Sequence, residues 1–179
     1  MLTRRFLLGG GAVGLAAWVG GRPFWAGAAV AAQFPVMHSD AEWHQLLTPA
    51  QYAVLRQSDT ERPFTSPLLN EHRSGIFACA GCTNELFSSE TKFESGTGWP
   101  SFWAPLKKEG SIGTTGDTTF GMVRSAVHCA TCGGHLGHVF DDGPRPTGLR
   151  YCMNGVAMVF KPGPAAHVEA IDHHVTHRS

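Results

Sequence analysis

The sequence has no surplus of charge of either sign: 14 lysines and arginines balance 14 aspartates and glutamates in 179 residues. Its first 32 residues hold three arginines and no acidic residue, which leaves 14 − 3 = 11 basic against 14 acidic side chains in the rest. Nucleic-acid binding requires clustered positive charge, so this distribution argues against a nucleic-acid partner. The chain also lacks the length of a two-domain protein, and we expect one globular domain.

The sequence also lacks an apolar run that is long and hydrophobic enough to predict a membrane-spanning helix. The Gly- and Ala-rich stretch that ends at Gly20 follows a twin-arginine start, Thr3-Arg4-Arg5-Phe6-Leu7-Leu8, and precedes small-residue cleavage sites. This pattern predicts a signal over residues 1–32 for the twin-arginine export machinery of a bacterium. We expect cleavage between about Ala28 and Ala32 and a periplasmic protein; the alternative is an uncleaved membrane anchor.

We expect the folded domain to cover residues 33–163 and a histidine-rich tail to cover residues 164–179. The tail contains four histidines, His167, His173, His174 and His177. A local metal site is one interpretation of these histidines. We expect a solvated tail instead, because short polar termini are seldom ordered unless they are tied down.

Two capping boxes predict short helices at the start of the domain. Ser39 and Thr48 are each followed three residues later by Glu or Gln, and a proline follows Thr48 at the first helical position. A Ser or Thr side chain and a Glu or Gln side chain at this spacing satisfy each other's backbone N–H groups at a helix start. The helices are expected near 40–47 and 49–57.

From Arg62 onward, frequent glycines and prolines break the chain into short segments, which is typical of short antiparallel strands and loops. The candidate strands are Gly75–Ala78, Glu85–Ser88, Thr118–Val127, Gly137–Phe140, Leu149–Asn154 and Val156–Phe160. The sequence therefore predicts a mainly β domain.

The strand Leu149–Asn154 places a thiol on a polar face. Alternation along a strand aims Leu149, Tyr151 and Met153 into a core and Arg150, Cys152 and Asn154 to the opposite side. A thiol beside a fixed cation ionises more readily, and the thiolate is the reactive form. We therefore hypothesise that Cys152 is a nucleophile; the alternative is a small buried hydrophobic residue.

The other four cysteines form two C-x-x-C pairs, Cys79 with Cys82 and Cys129 with Cys132. Two such knuckles can place four thiolates tetrahedrally about one ion, and nearby glycines supply the tight backbone that this requires. Because no histidine lies at ligand spacing, structural zinc is expected rather than catalytic zinc. Two disulfides are the alternative, since an oxidising periplasm permits them.

Five segments together resemble the B-type methionine sulfoxide reductases, and the match runs from about Leu47 to Phe160. The segments are Cys79-Ala-Gly-Cys82, Ser95-Gly-Thr-Gly-Trp-Pro-Ser-Phe102, Cys129-x-x-Cys132, His135-Leu-Gly-His-Val-Phe140 and Arg150-Tyr-Cys-Met-Asn154. The resemblance implies two antiparallel sheets in a sandwich-like fold, N-terminal helices, and zinc on the four knuckle cysteines. It also implies thiol-dependent reduction of the R epimer of methionine sulfoxide, in proteins or free, in repair of oxidative damage.

The resemblance also assigns roles to single residues. Cys152 matches the catalytic cysteine, and Trp99 and Phe102 match substrate-binding positions, with the indole packing on the substrate methyl group. The other matched positions are the polar active-site residues His135, His138 and Asn154 and the charged residues Arg150 and Asp142. For Trp99, a core aromatic is the alternative, since tryptophan buries a large area.

Chemistry supports a histidine facing the thiol. A sulfoxide sulfur becomes electrophilic when its oxygen is protonated or strongly hydrogen-bonded, and histidine is a natural donor near neutral pH. Thiolate attack then releases methionine and leaves a sulfenic acid on Cys152. His135 and His138 are three residues apart, so a regular strand would point them to opposite faces unless Gly137 creates a bulge.

The sequence departs from the family at Thr97. Many members carry there a second cysteine that resolves the sulfenic acid as a disulfide, and threonine cannot do so. We therefore expect reduction by an external thioredoxin-like dithiol or by a small thiol. Two other functions remain open on the sequence: a non-catalytic, zinc-ribbon-like module that binds a protein, and a thiol-disulfide oxidoreductase that uses C-x-x-C.

Overall fold

The computed structural model describes residues 34–107, 109–118 and 124–168. The predicted export signal and residues 169–179, with three of the tail histidines, lie outside these ranges. In the described part of the tail, Nδ1 of His167 lies 3.3 Å from a carboxylate oxygen of Glu90.

Two short helices open the described domain, α1 (Asp40–Leu46) and α2 (Pro49–Gln57). Both predicted capping boxes are present. The hydroxyls of Ser39 and Thr48 accept a hydrogen bond from the backbone N–H groups of Glu42 and Gln51, and the side chains of Glu42 and Gln51 accept one from the backbone N–H groups of Ser39 and Thr48. The predicted helices are thereby confirmed. Among the described residues, no helix has both the length and the apolar character needed to span a bilayer.

The described strands form two antiparallel sheets, as predicted for a mainly β domain. The three-stranded sheet has the order β2-β1-β9, with β1 (Gly75–Cys79), β2 (Glu85–Ser88) and β9 (Met158–Pro162). The strands of the six-stranded sheet are β3 (Lys92–Phe93), β4 (Ser101–Phe102), β5 (Ile112–Asp117), β6 (Arg124–Cys129), β7 (His135–Phe140) and β8 (Arg150–Met153). Their order across the sheet is β3-β4-β8-β7-β6-β5.

The predicted strand Thr118–Val127 is confirmed only in its second part. Thr118 lies outside a strand, residues 119–123 lie outside the described residues, and residues 124–127 belong to β6. A separate strand that was not expected, β5, ends at Asp117 and pairs antiparallel with β6. The polar residues at the end of β5 obscured its alternation. The predicted last strand is shifted as well, because a 3-10 turn at Gly155–Ala157 precedes β9.

Aromatic rings from both sheets meet in the core. Phe102 of β4 stacks on Phe87 of β2, with ring centroids 4.4 Å apart, and contacts Phe77 of β1 edge-on at 4.9 Å. All three side chains are fully buried. Burial of this area contributes to holding the small sheet against the large one, because each aromatic removes a large apolar surface from water.

A bulge in β7 sets the position of β8. Val127 of β6 pairs with Gly137, but the next residue, His128, pairs with His135, so one residue of β7 is left over. Gly137 also lies against β8: a Cβ atom there would stand 2.1 Å from the carbonyl oxygen of Cys152. A bulge, one of the two outcomes that the histidine spacing left open, is therefore present, and the contact with β8 explains why glycine occupies this position.

We expect Gly137→Ala to lower the free energy of unfolding by about 2 kcal/mol or more, because the added methyl group must push β7 and β8 apart. Urea unfolding followed by circular dichroism measures this change. Gly116→Ala in β5 is the matched control, since nothing lies within 4 Å of a Cβ built there. Equal stability of the two variants would contradict the close approach of the strands.

Candidate active site

Cys152 lies in the middle of the large sheet. It stands opposite Ser101 of β4 and His138 of β7, so side chains from three strands share its face. The strand turns Tyr151 and Met153 into the core and leaves Cys152 partly exposed, as the alternation predicts. The thiol is therefore accessible, in contrast to a cysteine used only as core packing.

Arg150 provides a fixed positive charge on the same face. Its guanidinium donates two hydrogen bonds of 2.8 Å to the carboxylate of Asp142 and lies 4.4 Å from the centre of the Phe140 ring. The hydrogen bonds with Asp142 raise the pKa of Arg150, against a smaller lowering by burial. Asp142, whose pKa these bonds lower, thus acts on the thiol by holding the guanidinium in place.

The bulge brings the two histidines together. The ring centroids of His135 and His138 are 5.4 Å apart, in an edge-on arrangement. Nε2 of His138 lies 2.8 Å from Oδ2 of Asp117, which also accepts from Arg124 at 3.1 Å. The carboxylate fixes the orientation of the His138 ring, and His138 is the cross-strand partner of Cys152.

His135 is in a different electrostatic environment. Its side chain is 8% exposed, and its Nε2 has no hydrogen-bond partner among the described residues. Burial, with a smaller contribution from the neighbouring His138, lowers the pKa of His135 to about 4. His135 is therefore neutral at pH 7, and it does not match the expected acid that titrates near neutrality.

Glu61 connects several site residues. Its carbonyl oxygen accepts from Nε1 of Trp99 at 3.1 Å, and its N–H donates to Oδ1 of Asn154 at 2.9 Å. Its carboxylate accepts from the N–H groups of Gly155 and Val156, and burial raises its pKa. The segment around Glu61 thus holds the indole and the chain that follows β8.

Asn154 has a different position from the one expected. β8 ends at Met153, and the buried Asn154 starts the 3-10 turn that follows. Its Nδ2 donates to the carbonyl oxygen of Leu136 at 3.0 Å, while its Oδ1 is engaged by Glu61. The prediction that Asn154 continues the strand on the Cys152 face is therefore wrong, and its amide ties three segments together.

The two aromatic residues of the predicted substrate site differ in exposure. Trp99 is partly exposed, so its ring is available at the surface as well as packed. Phe102 is 0% exposed and is enclosed by Phe77 and Phe87. The expectation that Phe102 contacts a substrate is therefore corrected: its side chain fills the core between the sheets.

Four cysteines form a second centre. Their sulfur atoms all lie within 4.8 Å of one another, with Cys79 and Cys132 at 3.7 Å and Cys82 and Cys129 at 3.5 Å. A tetrahedral ion with metal–sulfur bonds of about 2.3 Å would place its sulfurs about 3.8 Å apart, so the cluster fits such an ion. Disulfide bonds of about 2.05 Å are absent from these pairs, and all four cysteines are free.

The four sulfurs are close enough for the ionisation of each to depend on the others. The pKa of Cys79 is raised, mainly by its hydrogen bond with Cys129. The pKa of Cys129 is lowered, mainly by its hydrogen bond with Cys132. A bound cation would stabilise all four as thiolates, and the cluster could hold such an ion.

Comparison with known proteins identifies the family. A family model described as the SelR domain matches residues 47–162. Over 127 residues the chain is 56% identical to "Peptide methionine sulfoxide reductase MsrB" of Agrobacterium fabrum, covering 71% of this chain and 93% of that protein. The chain belongs to the B-type methionine sulfoxide reductases.

Two further members of the family extend the comparison. The protein of the same name from Leifsonia xyli is 53% identical over 131 residues, which is 73% of this chain and 94% of that protein. The one from Methanosarcina barkeri is 53% identical over 130 residues, 73% of this chain and 91% of that protein. The matched part of the chain corresponds to nearly the whole length of these reductases.

Three residues of this B-type reductase escaped sequence reasoning. Asp117 reaches His138, and Arg124 reaches Asp117, because β5, β6 and β7 are neighbours in the sheet. The sequence prediction missed β5, so it missed this arrangement. Glu61 is separated by 38 residues from Trp99 and by 93 from Asn154 along the chain. Pairing β5 with β6 correctly would have brought the first two to the site; no sequence signal marked Glu61.

We expect stability to fall as the pH is lowered from about 6.5 to about 4, because the unfolded chain protonates His135 in this range and the folded chain does not. The loss attributable to His135 is expected to be about 2 kcal/mol. Urea unfolding at several pH values measures it, with His135→Gln as the comparison. The same pH dependence in both proteins would contradict a neutral, buried His135.

Proposed function

We propose that this chain reduces the R epimer of methionine sulfoxide to methionine, with Cys152 as the nucleophile. The observation that carries the proposal is the partly exposed thiol of Cys152, set beside Arg150 and across from His138, in a chain of this family. The relatives are named as peptide methionine sulfoxide reductases. Oxidised methionine residues in proteins are the proposed main substrate, and free methionine sulfoxide is the alternative.

In the proposed reaction, the Cys152 thiolate attacks the sulfoxide sulfur and forms an S–S bond, while the sulfoxide oxygen takes up a proton. The hydroxyl then moves to the Cys152 sulfur, and the S–O bond of the substrate and the new S–S bond both break. The substrate sulfur gains two electrons and leaves as the thioether of methionine. Cys152 loses two electrons and becomes a sulfenic acid, which carries the oxygen and the proton. Arg150 supports the starting thiolate through its positive charge.

The proposed proton donor is His138. It stands directly across from Cys152, so its ring can reach a sulfoxide oxygen held above the thiol. Asp117 holds Nε2 of the ring, and the second ring nitrogen, when protonated, donates to the substrate. The neutral His135 packs edge-on against His138, and Trp99 packs against the methyl group of the substrate.

We propose that the reductant comes from outside the chain. Cys152 faces Thr97 at the position where many family members carry a resolving cysteine, and the other four cysteines are gathered in one cluster. A thioredoxin-like dithiol or a small thiol would then reduce the sulfenic acid directly. The clustering of both C-x-x-C pairs argues against their use as the redox couple of an oxidoreductase.

The export proposal rests on the twin-arginine start and the small-residue sites of residues 1–32. A chain exported in the folded state can receive its metal in the reducing cytoplasm, where thiols stay available. N-terminal sequencing of the protein from the bacterial periplasm tests it, and a membrane-bound form that retains Met1 would contradict cleavage.

For the metal site we propose structural zinc, since four thiolates with no open position favour that ion. We expect about one zinc ion per chain by elemental analysis of the purified protein. Stripping the metal with a chelator is expected to lower the melting temperature by more than about 10 °C, because metal binding contributes directly to the free energy of folding. A zinc-free protein with the melting temperature of the untreated one would contradict the proposal.

We expect Cys152→Ser to lower thiol-driven turnover of the R sulfoxide at least about a thousandfold, because the nucleophile is removed. The measurement compares the separated R and S epimers, in wild type and variant, by the methionine formed. Ser125→Ala, at an exposed position of β6, is the control and should retain full activity. Activity in the Cys152 variant, or a preference for the S epimer, would overturn the proposed function.

A further inference from the structure

A hydroxyl group contacts the proposed nucleophile. Oγ1 of Thr97 lies 3.6 Å from Sγ of Cys152, within hydrogen-bond range for sulfur. The neighbours of Thr97, Gly96 and Gly98, have φ angles of 72° and 93°, in the left-handed region that favours glycine. Gly98 is also packed closely, since a Cβ there would stand 2.8 Å from Pro63. The loop therefore presents Thr97 to the sulfur from a constrained backbone.

Two serines extend this contact into a chain of hydroxyl groups. Oγ of Ser95 lies 2.8 Å from Oγ1 of Thr97 and 2.7 Å from Oγ of Ser101. Ser101, which is only 1% exposed, donates to the carbonyl oxygen of Trp99 at 3.1 Å. Three hydroxyls thus link the reactive sulfur to a backbone acceptor.

The direction of these hydrogen bonds depends on the state of the sulfur, because each hydroxyl has only one proton to donate. With a thiol, the S–H group donates to Thr97, Thr97 to Ser95, and Ser95 to Ser101. A thiolate can only accept, so Thr97 must turn its O–H group to the sulfur, Ser95 then donates to Thr97, and Ser101 turns its O–H group from the Trp99 carbonyl to Ser95. One proton leaves Cys152 for solvent; the hydroxyls rotate, and none of them gains or loses a proton.

We propose that Thr97 is a catalytic residue whose hydroxyl donates to the Cys152 thiolate, and that Ser95 and Ser101 are positioning residues that orient it. This inference rests on the proposed role of Cys152 as the nucleophile. A charge-assisted hydrogen bond of this kind stabilises the ionised sulfur more than a neutral one does. Threonine at this position then supports the thiolate directly, whereas a resolving cysteine acts later in the cycle.

Other charged and titratable groups also face Cys152 and are unchanged by substitutions in the hydroxyl chain. Arg150 lies on its own strand, paired with Asp142, and His138 lies across from it on β7. Behind His138 are Asp117 of β5 and Arg124 of β6, while the facing residue of β4, Ser101, is neutral.

The test is the alkylation rate of Cys152 by iodoacetamide in the metal-loaded full chain, with the modified residue identified by mass spectrometry. Thr97→Val keeps the shape and removes the hydroxyl; Thr97→Ser keeps the hydroxyl. At pH 7 we expect the valine variant to react about tenfold more slowly than wild type, which corresponds to about 1.4 kcal/mol. The serine variant should stay within about twofold of the wild-type rate. Thr114→Val, at an exposed position of β5, should react like wild type.

The pH profile separates a hydrogen bond from simple packing. If the hydroxyl favours the thiolate, the difference in alkylation rate between the valine variant and wild type becomes smaller at alkaline pH. There the Cys152 thiol is ionised in every variant. The proposal would be overturned if the valine variant stayed slower than wild type at alkaline pH. It would also be overturned if the valine and serine variants lost the same alkylation rate, or if the valine variant reacted as fast as wild type at pH 7.

Ser95→Ala is the second variant, used with a thermal unfolding curve in case Thr97→Val does not fold. This substitution removes the hydroxyl next to Thr97 and so interrupts the row of hydrogen-bonded hydroxyl groups. We expect about threefold slower alkylation of Cys152 at pH 7, and the difference from wild type should become smaller at alkaline pH. An unchanged rate would count against the positioning role. Because alkylation requires no sulfoxide, a chain that shows these effects but fails to reduce methionine sulfoxide would overturn the proposed function alone.

Discussion

The close approach of β7 and β8 at Gly137 is the constraint on which the site depends. A side chain at that position would collide with the backbone of Cys152, so only glycine lets the two strands pair there. The bulge beside it brings His135 and His138 to one side of the sheet. Through this contact, a local feature of the backbone sets the distance between the thiol and the polar groups that act with it.

The five cysteines lie in two separate environments. Cys79 ends β1 of the small sheet and Cys129 ends β6 of the large one, so an ion held by the four-sulfur cluster would join the two sheets. Cys152 stands apart, beside a guanidinium and a hydroxyl. The chemistry expected of a thiol therefore differs with its surroundings: mutual crowding favours metal binding in one place, and exposure near positive charge favours nucleophilic attack in the other.

Much of this arrangement could be predicted from sequence, since the capping boxes, the cysteine pairs and the alternation around Cys152 are local patterns. The three-residue spacing of two histidines raised the possibility of a bulge at Gly137 without deciding it. The predictions that failed depended on contacts between distant segments: the pairing of β5 with β6 brings Asp117 to His138, and Glu61 contacts Trp99 across 37 intervening residues. Phe102 was misjudged because a motif position says nothing about which face of the sheet is covered.

Single-turnover stoichiometry tests the central claim most directly, that Cys152 alone among the five cysteines reacts. The reduced, metal-loaded chain is mixed with an excess of the R sulfoxide and no reductant, and a sulfenic-acid reagent then traps the product. The account predicts about one methionine per chain, a trapped sulfenic acid on Cys152, and a metal cluster that stays intact. A disulfide that joins Cys152 to a cluster cysteine, or methionine formed by oxidation of the cluster, would contradict it.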